Sequence, residues 1–284
     1  TLAVRLTKGA LPGELDGFGK AELAAAAKFV AETAGKRAPG KAKVAIESST
    51  DDDGQRRMRL AIVNDDMPFL VDSVAAVIAS HDVAIDRIIH PVLKITRDKT
   101  GKLTACDAGE PESMIYLELE RVDARARQAL VEDIDQVLAA VRAATGDWPK
   151  LQKALEADIA TVADAEGAAL LQWFLGGRMT LLGHESWTPT GGSKGAIGIA
   201  RLKTDQPILA DVSRKLALDW FEKGGATPLL VKSNLISPVH RAVPLDLVIV
   251  PVRAGGKSDG KVVGLSIHAG LWTSAALASP PDEV

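Results

Sequence analysis

The chain has 284 residues, 46% hydrophobic and 25% charged, an ordinary globular balance that supports sizeable cores and, at ~100–200 residues per domain, about two domains. Lys and Arg total 34 against 37 Asp and Glu, and a net charge of -3 leaves no global positive field, which argues against nucleic acid and anionic membrane as partners. No apolar run approaches the ~18–20 residues that span a bilayer, the N-terminus has no secretory core, and the single Cys106 can make neither an internal disulfide nor a multi-cysteine metal site, so a reducing cytoplasm is the expected compartment.

Residues 1–40 mix Gly and Pro with one helical stretch, "KAELAAAAKFVAETAGKR", whose Leu23, Ala27, Val30 and Ala34 share a face. A hairpin follows, "AKVAIES" and "RMRLAIVN", turned at Asp53-Gly54. In "FLVDSVAAVIAS" the apolar Leu70, Val74, Val77 and Ile78 recur with helical spacing, and "VAIDRIIHPVLKITRD" reads as a strand interrupted at Pro91. "ESMIYLELERV" alternates, with Ile115, Leu117 and Leu119 opposed to Tyr116, Glu118 and Glu120, and is expected to offer a sheet edge. The next helix carries Leu130, Ile134, Val137, Leu138 and Val141 on one stripe. The order β–α–β–β–α predicts a ferredoxin-like domain over 41–145 after an N-terminal helical segment over 1–40. A helical connector is expected over 146–165. A second antiparallel α+β domain is expected over 166–284, with a hairpin ("RMTLLGHESWT", "AIGIARL"), a helix ("ILADVSRKLALDWFEKG") and strands in "PLLVKSN", "LDLVIVPVR" and "KVVGLSIHAGLW". The chain opens at Thr1 and stops in "ASPPDEV", which reads as a piece of something larger.

Three groups of residues invite chemistry. The junction "NDDMPF", Asn64, Asp65, Asp66, Met67, Pro68 and Phe69, stands between strand and helix. Its acids are expected to satisfy free N–H groups at the helix start, with Pro68 in the first turn, while an acid–base pair or a carboxylate-holding turn are the competing uses. "KSNLISPVHR" gathers Lys232, Ser233, Asn234, Ser237, His240 and Arg241. A Ser–His nucleophile needs an orienting group and oxyanion donors that spacing does not supply, so a polar inter-strand loop facing an anion or another domain is expected. The histidines show no ligand spacing, so no metal site is predicted, and "GGSKGAIG" fits neither phosphate-loop pattern and is expected as a turn. The five tryptophans are expected in the cores.

The helix opening on "DDMPFLV" resembles an ACT domain, whose first strand runs into a D-x-P-G-L-L turn. Further, "IVNDDMPFLVDSV", "IIHPV", "ESMIYLELERV", "KSNLISPVHRAVPLD", "GKVVG" and "GLWTS" resemble, in order and spacing over about residues 58–278, the N-terminal region of the large bacterial NAD-dependent glutamate dehydrogenases. The resemblance implies an ACT-type first domain, a PAS-like second one, and a non-catalytic regulatory or assembly fragment that holds no cofactor itself. It also implies a parent enzyme oxidising L-glutamate to 2-oxoglutarate and ammonia with NAD. The implied partners are the rest of that chain, further copies in a homo-oligomer, and an amino-acid effector. A free-standing ACT-type amino-acid sensor is the alternative. Phe69 departs from the ACT glycine, its side chain occupies effector space, and Phe69→Gly is expected to forfeit roughly 1.5–3 kcal/mol of apolar burial.

Overall fold

The computed structural model describes residues 5–6, 15, 18–50, 54, 56–204, 206–256 and 260–273, and the chain divides into two units, Thr1–Ala139 and Ala140–Val284. The division falls inside a helix, ahead of the boundary expected at 145/146.

In the first unit, helix α1 (Lys20–Ala34) buries Ala26, Ala27, Phe29, Val30 and Ala34 against Ala61, Val63, Ile89, Ile95, Met114 and Tyr116. The N-terminal helix is therefore part of this core and not the separate segment expected over 1–40. Strands β1 (Lys43–Thr50) and β2 (Arg56–Asp65) form the expected hairpin, paired from Lys43↔Val63 to Thr50↔Arg56. Asp53, expected to supply the turn with Gly54, lies outside the described residues. Helix α2 (Leu70–Ser80) leads to β3 (Ile85–Ile89) and β4 (Val92–Arg97), two halves of one run broken at His90-Pro91, both paired with β6 (Glu110–Leu119). Between them stands a short strand the sequence did not announce, β5 (Leu103–Cys106), paired with β4. The sheet order β1-β2-β6-β4-β5 makes β1 the added edge strand and puts β6 in the interior.

That placement corrects the expectation that "ESMIYLELERV" is an edge. Because β6 pairs on both sides and both sheet faces are covered, Met114 to Leu117 are all buried, Tyr116 included, and the alternation in hydrophobicity marks no solvent face. Tyr116 keeps its polarity by donating to Glu118 Oε1 at 3.0 Å. Burial, with the Glu118 charge and hydrogen bond, pushes its pKa well up. Helix α3 (Ala124–Gly146) buries the whole predicted stripe, Leu130, Ile134, Val137, Leu138 and Val141.

In the second unit, helices α4 (Trp148–Ile159) and α5 (Ala165–Trp173) bury Leu151, Leu155 and Leu171 with Met179, Leu181, Val248 and Val250. Asp164 caps α5, accepting from Gly167 N at 2.8 Å. The expected connector over 146–165 is thus a layer of this unit's own core. Strands β7 (Met179–Thr188), β8 (Gly192–Gly198), β9 (Leu229–Ile236), β10 (Pro244–Arg253) and β11 (Val262–Trp272) form an antiparallel sheet, order β8-β7-β11-β10-β9. "GGSKGAIG" is mostly strand β8, the turn being residues 189–191, and Ile199–Arg201 is a 3-10 turn where strand was expected. Helix α6 (Asp211–Glu222) packs on β10 and β11. Trp187 is buried, whereas Trp220 and Trp272 are exposed, against the expectation of core packing for every tryptophan.

One irregularity in β7 sets which of its side chains face α4. Pairing with β11 runs Ala269↔Gly183 and then Gly270↔Leu181, which leaves Leu182 unpaired and reverses the alternation of sides. Two glycines admit this bulge. A Cβ on Gly198, at φ 61, would stand 2.1 Å from Leu182 O, and one on Gly183 would stand 2.8 Å from the Ile199 side chain. As a result Leu181 and His184 lie on the α4 side of the sheet, and Glu185 and Trp187 on the other.

Candidate functional site

The predicted effector turn is engaged by its own domain. Helix α2 begins at Leu70 with Phe69 at the N-cap position, where it makes no side-chain cap, so neither acid is the N-cap residue. Asp65 Oδ1 instead accepts from Arg37 Nη2 at 2.6 Å, and Asp66 Oδ1 accepts from Ser113 Oγ at 2.8 Å. His90 Nε2 lies 2.9 Å from the same hydroxyl. Since the Ser113 proton is directed at a carboxylate, which only accepts, His90 supplies the N–H of its bond. This Asp–Ser–His chain is no nucleophile, because Ser113 is fully buried. Asn64 is buried, Met67 and Phe69 are half-buried and Pro68 is exposed. Phe69 itself stands at φ 70, the left-handed region glycine occupies without cost, so the ACT-type glycine departed from here is a backbone requirement as well as a matter of space. That revises the expected loss on Phe69→Gly, since strain relief opposes lost burial.

Beside the turn lies a charge-balanced ion network in which Arg37 Nε alone is buried without a partner. Arg97 grips Glu112 with Nε to Oε1 at 2.6 Å and Nη2 to Oε2 at 2.7 Å, and Arg37 Nη2 adds a third bond to Oε1 at 2.7 Å. Arg37 Nη1 also donates to Lys41 O, and Arg97 Nη1 to the carbonyls of Ala34 and Gly101. Burial alone would raise the Glu112 pKa, but the bonds from Arg97 and Arg37 outweigh it and hold the carboxyl below its ordinary value. Two cations and two anions thus join the end of α1 to β2, β4 and β6.

The second unit holds a cluster of another kind. On β11, Ser266 and His268 are two residues apart on one face, and His184 of β7 is in register with His268, ring centroids 4.6 Å apart. Helix α4 brings Asp158 over them. Its Oδ2 accepts from His268 Nε2 at 2.6 Å and from Ser266 Oγ at 2.5 Å, and Ser266 Oγ lies 2.9 Å from His184 Nε2. The rings are buried, His268 completely, and both Nδ1 atoms are buried without a partner. Burial first, with the neighbouring His268, lowers the His184 pKa to about 4 against the opposing pull of Asp158, so the ring is neutral at pH 7. Asp158, His184 and His268 each offer a ligand atom, all within 4.8 Å of one another. Sequence reasoning, which predicted no metal site, had no spacing to find here, because the three residues come from a helix and two strands far apart in the chain.

Comparisons with known proteins agree with the first unit's architecture. Residues 2–134 match the family described as "Glutamate dehydrogenase, ACT1 domain". The chain is 28% identical over 256 residues to the NAD-specific glutamate dehydrogenase of Halomonas elongata, covering 79% of this chain and 16% of that one. It is 29% identical over 255 residues to the enzyme of the same name from Pseudomonas aeruginosa, with 78% and 15% covered. The chain is thus similar to the NAD-specific glutamate dehydrogenases over most of its length. It spans about a sixth of their length. Among solved structures, an uncharacterized protein from Mycobacterium tuberculosis is 11% identical over 89% of this chain and 53% of that one, with a TM-score of 0.19, a level that carries no argument.

The matched ACT1 stretch contains the predicted turn Asn64–Phe69 and the ion network, while the histidine cluster and the second predicted polar loop lie beyond it. Lys232, Ser233 and Asn234 are on strand β9 and not in a loop. Lys232 Nζ pairs with Asp246 Oδ1 at 2.5 Å, the buried Ser233 donates to Ile208 O at 2.7 Å, and Asn234 is exposed. Only Ser237 to Val243 form the loop, in which Ser237 donates to Val239 O and Arg241 Nη2 donates to Trp272 O at 2.5 Å. His240 stands at φ 69. On the far face of the sheet, Glu185 pairs with Arg214 of α6 at 2.5 Å beside a cleft of about 180 Å³, smaller than the ~300–1,000 Å³ of small-molecule sites. No helix among the described residues is long and apolar enough to cross a membrane.

Proposed function

We propose that this chain is a regulatory and subunit-assembly region of an NAD-dependent glutamate dehydrogenase, a cytoplasmic homo-oligomer that oxidises L-glutamate to 2-oxoglutarate and ammonia. The ACT1 match over residues 2–134, on a unit with the split β–α–β sheet of that domain type, carries this reading. The second unit is read as PAS-like, supported by its five-stranded antiparallel sheet flanked by helices. The assembly part is supported by two exposed apolar surfaces there. Val212, Leu216 and Trp220 of α6, four residues apart, are 71%, 66% and 51% exposed, and edge strand β9 exposes Leu230, Val231 and Ile236.

The reading makes the fragment non-catalytic: catalysis, NAD and substrate binding belong to the rest of the parent chain. The purified chain mixed with NAD and L-glutamate is expected to form no NADH, and turnover would overturn the assignment. The free-standing amino-acid sensor is the competing function. Calorimetric titration of the chain with each of the twenty amino acids separates the two, because saturable binding abolished by Asp66→Ala would favour the sensor. Control through packing predicts no such event.

A further inference from the structure

The histidine cluster of the second unit is absorbed by no part of this proposed function, and its chemistry is unusual for a purely structural network. Asp158 Oδ2 receives both short hydrogen bonds, from Ser266 and from His268. A carboxylate donates nothing, so the Ser266 proton points to Asp158 and His184 Nε2–H must fill the remaining lone pair of Ser266. The inventory is then one carboxylate, one hydroxyl and two imidazoles. The two buried Nδ1 atoms are left without partners, and the half-buried Asp158 carboxylate beside them is a charge of the kind that persists when it is paired or coordinates a metal.

We propose that Asp158, His184 and His268 form a binding site for a divalent transition-metal ion of the zinc class. Imidazole nitrogen and carboxylate oxygen bind Zn²⁺ at about 2.0–2.2 Å, which puts tetrahedral donors about 3.3 Å apart. The candidate atoms span that value, from 2.6 Å between His268 and Asp158 to the 4.8 Å limit of the set, so side-chain adjustment alone closes the site. On binding, each coordinating imidazole nitrogen becomes a lone-pair donor and its proton moves to the other ring nitrogen. The His268–Asp158 hydrogen bond is exchanged for two bonds to the ion. Ser266 remains to orient the carboxylate or to fill the fourth position. Entry is from the Asp158 side, whose side chain is 19% exposed while His268 is at 0%. Two N and one O ligands favour zinc over magnesium or calcium.

The test uses the 284-residue chain carrying Cys106→Ser, which removes an exposed surface thiol that also binds such ions. After chelation, titration with Co²⁺ is expected to give visible d–d absorption of tetrahedral intensity that saturates at one ion per chain, is displaced by one equivalent of Zn²⁺, and accompanies a rise in melting temperature. Asp158→Asn and His268→Gln are each expected to weaken Co²⁺ binding at least about tenfold. Titrations unchanged in these variants, or no saturable binding by the parent, overturn the site. Should a variant fail to fold, proton–nitrogen spectra of the imidazoles in the chain with all its histidines decide. Two rings shifting at one equivalent of Zn²⁺ support the site, and His184 and His268 resonances that stay put overturn it.

Discussion

Each unit buries a polar cluster, and the two are built on opposite principles. In the first, Arg37 and Arg97 meet Asp65 and Glu112 with charges that cancel and with five carbonyl or carboxylate groups accepting their protons. In the second, Asp158 faces two imidazoles and a hydroxyl, with ring nitrogens to spare. A charge-balanced network serves to hold elements together. The second keeps two buried ring nitrogens free of partners, and these can take up the protons that coordinating nitrogens give up.

The sharpest way to break this contrast is to remove one partner from each cluster. Glu112→Ala leaves the Arg97 guanidinium without its anion and Arg37 with Asp65 alone, and is expected to destabilise the first unit by about 3–5 kcal/mol, read from the denaturant midpoint. Asp158→Asn, which still accepts hydrogen bonds, is expected to cost the second unit only about 1–3 kcal/mol. Equal losses would erase the distinction. Gly198→Ala sharpens it from another side, because the new Cβ strikes Leu182 O and unseats the bulge that presents His184. A loss of roughly 2 kcal/mol or more is expected in thermal unfolding, by strain and backbone clash together.

Smaller effects test the turn and the charges. Phe69→Gly trades half-buried aromatic surface for relief of about 1–2 kcal/mol of left-handed strain, and stability is expected to stay within about 1 kcal/mol of the parent by chemical denaturation. The last test is acid. Since the folded state holds Glu112 below its ordinary 4.5, the unfolded chain binds the proton more readily. The stability this contributes is present above that value and is lost as pH falls through the folded pKa. Glu112→Gln is expected to make the acid limb of the stability curve shallower, and an unchanged limb would show that the network's charges do not govern it.

Much of the first unit could be read from its periodicities. The face of α1, the stripe of α3, the hairpin and the break at Pro91 are all local patterns, in which a few neighbouring residues state which side is buried. The β6 strand misled because alternation announces a solvent face only when one face is left uncovered, and here helices cover both. The bonds of Asp65 and Asp66 to Arg37 and Ser113 were illegible, because those partners lie 28 and 47 residues away in sequence.

By itself the sequence determined the elements, the two-unit α+β plan and the similarity to glutamate dehydrogenases, because these rest on hydrophobic period, turn residues and short ordered motifs. Only the tertiary structure decided the histidine cluster. Asp158 comes from a helix that reads as a connector, and the ring it touches lies 110 residues further along the chain. His184 faces it only because Leu182 bulges and reverses the two-residue period of β7. Strand register and bulges are set by pairing between distant segments, and no local pattern in "LLGHESW" or "LSIHAG" records which faces will meet.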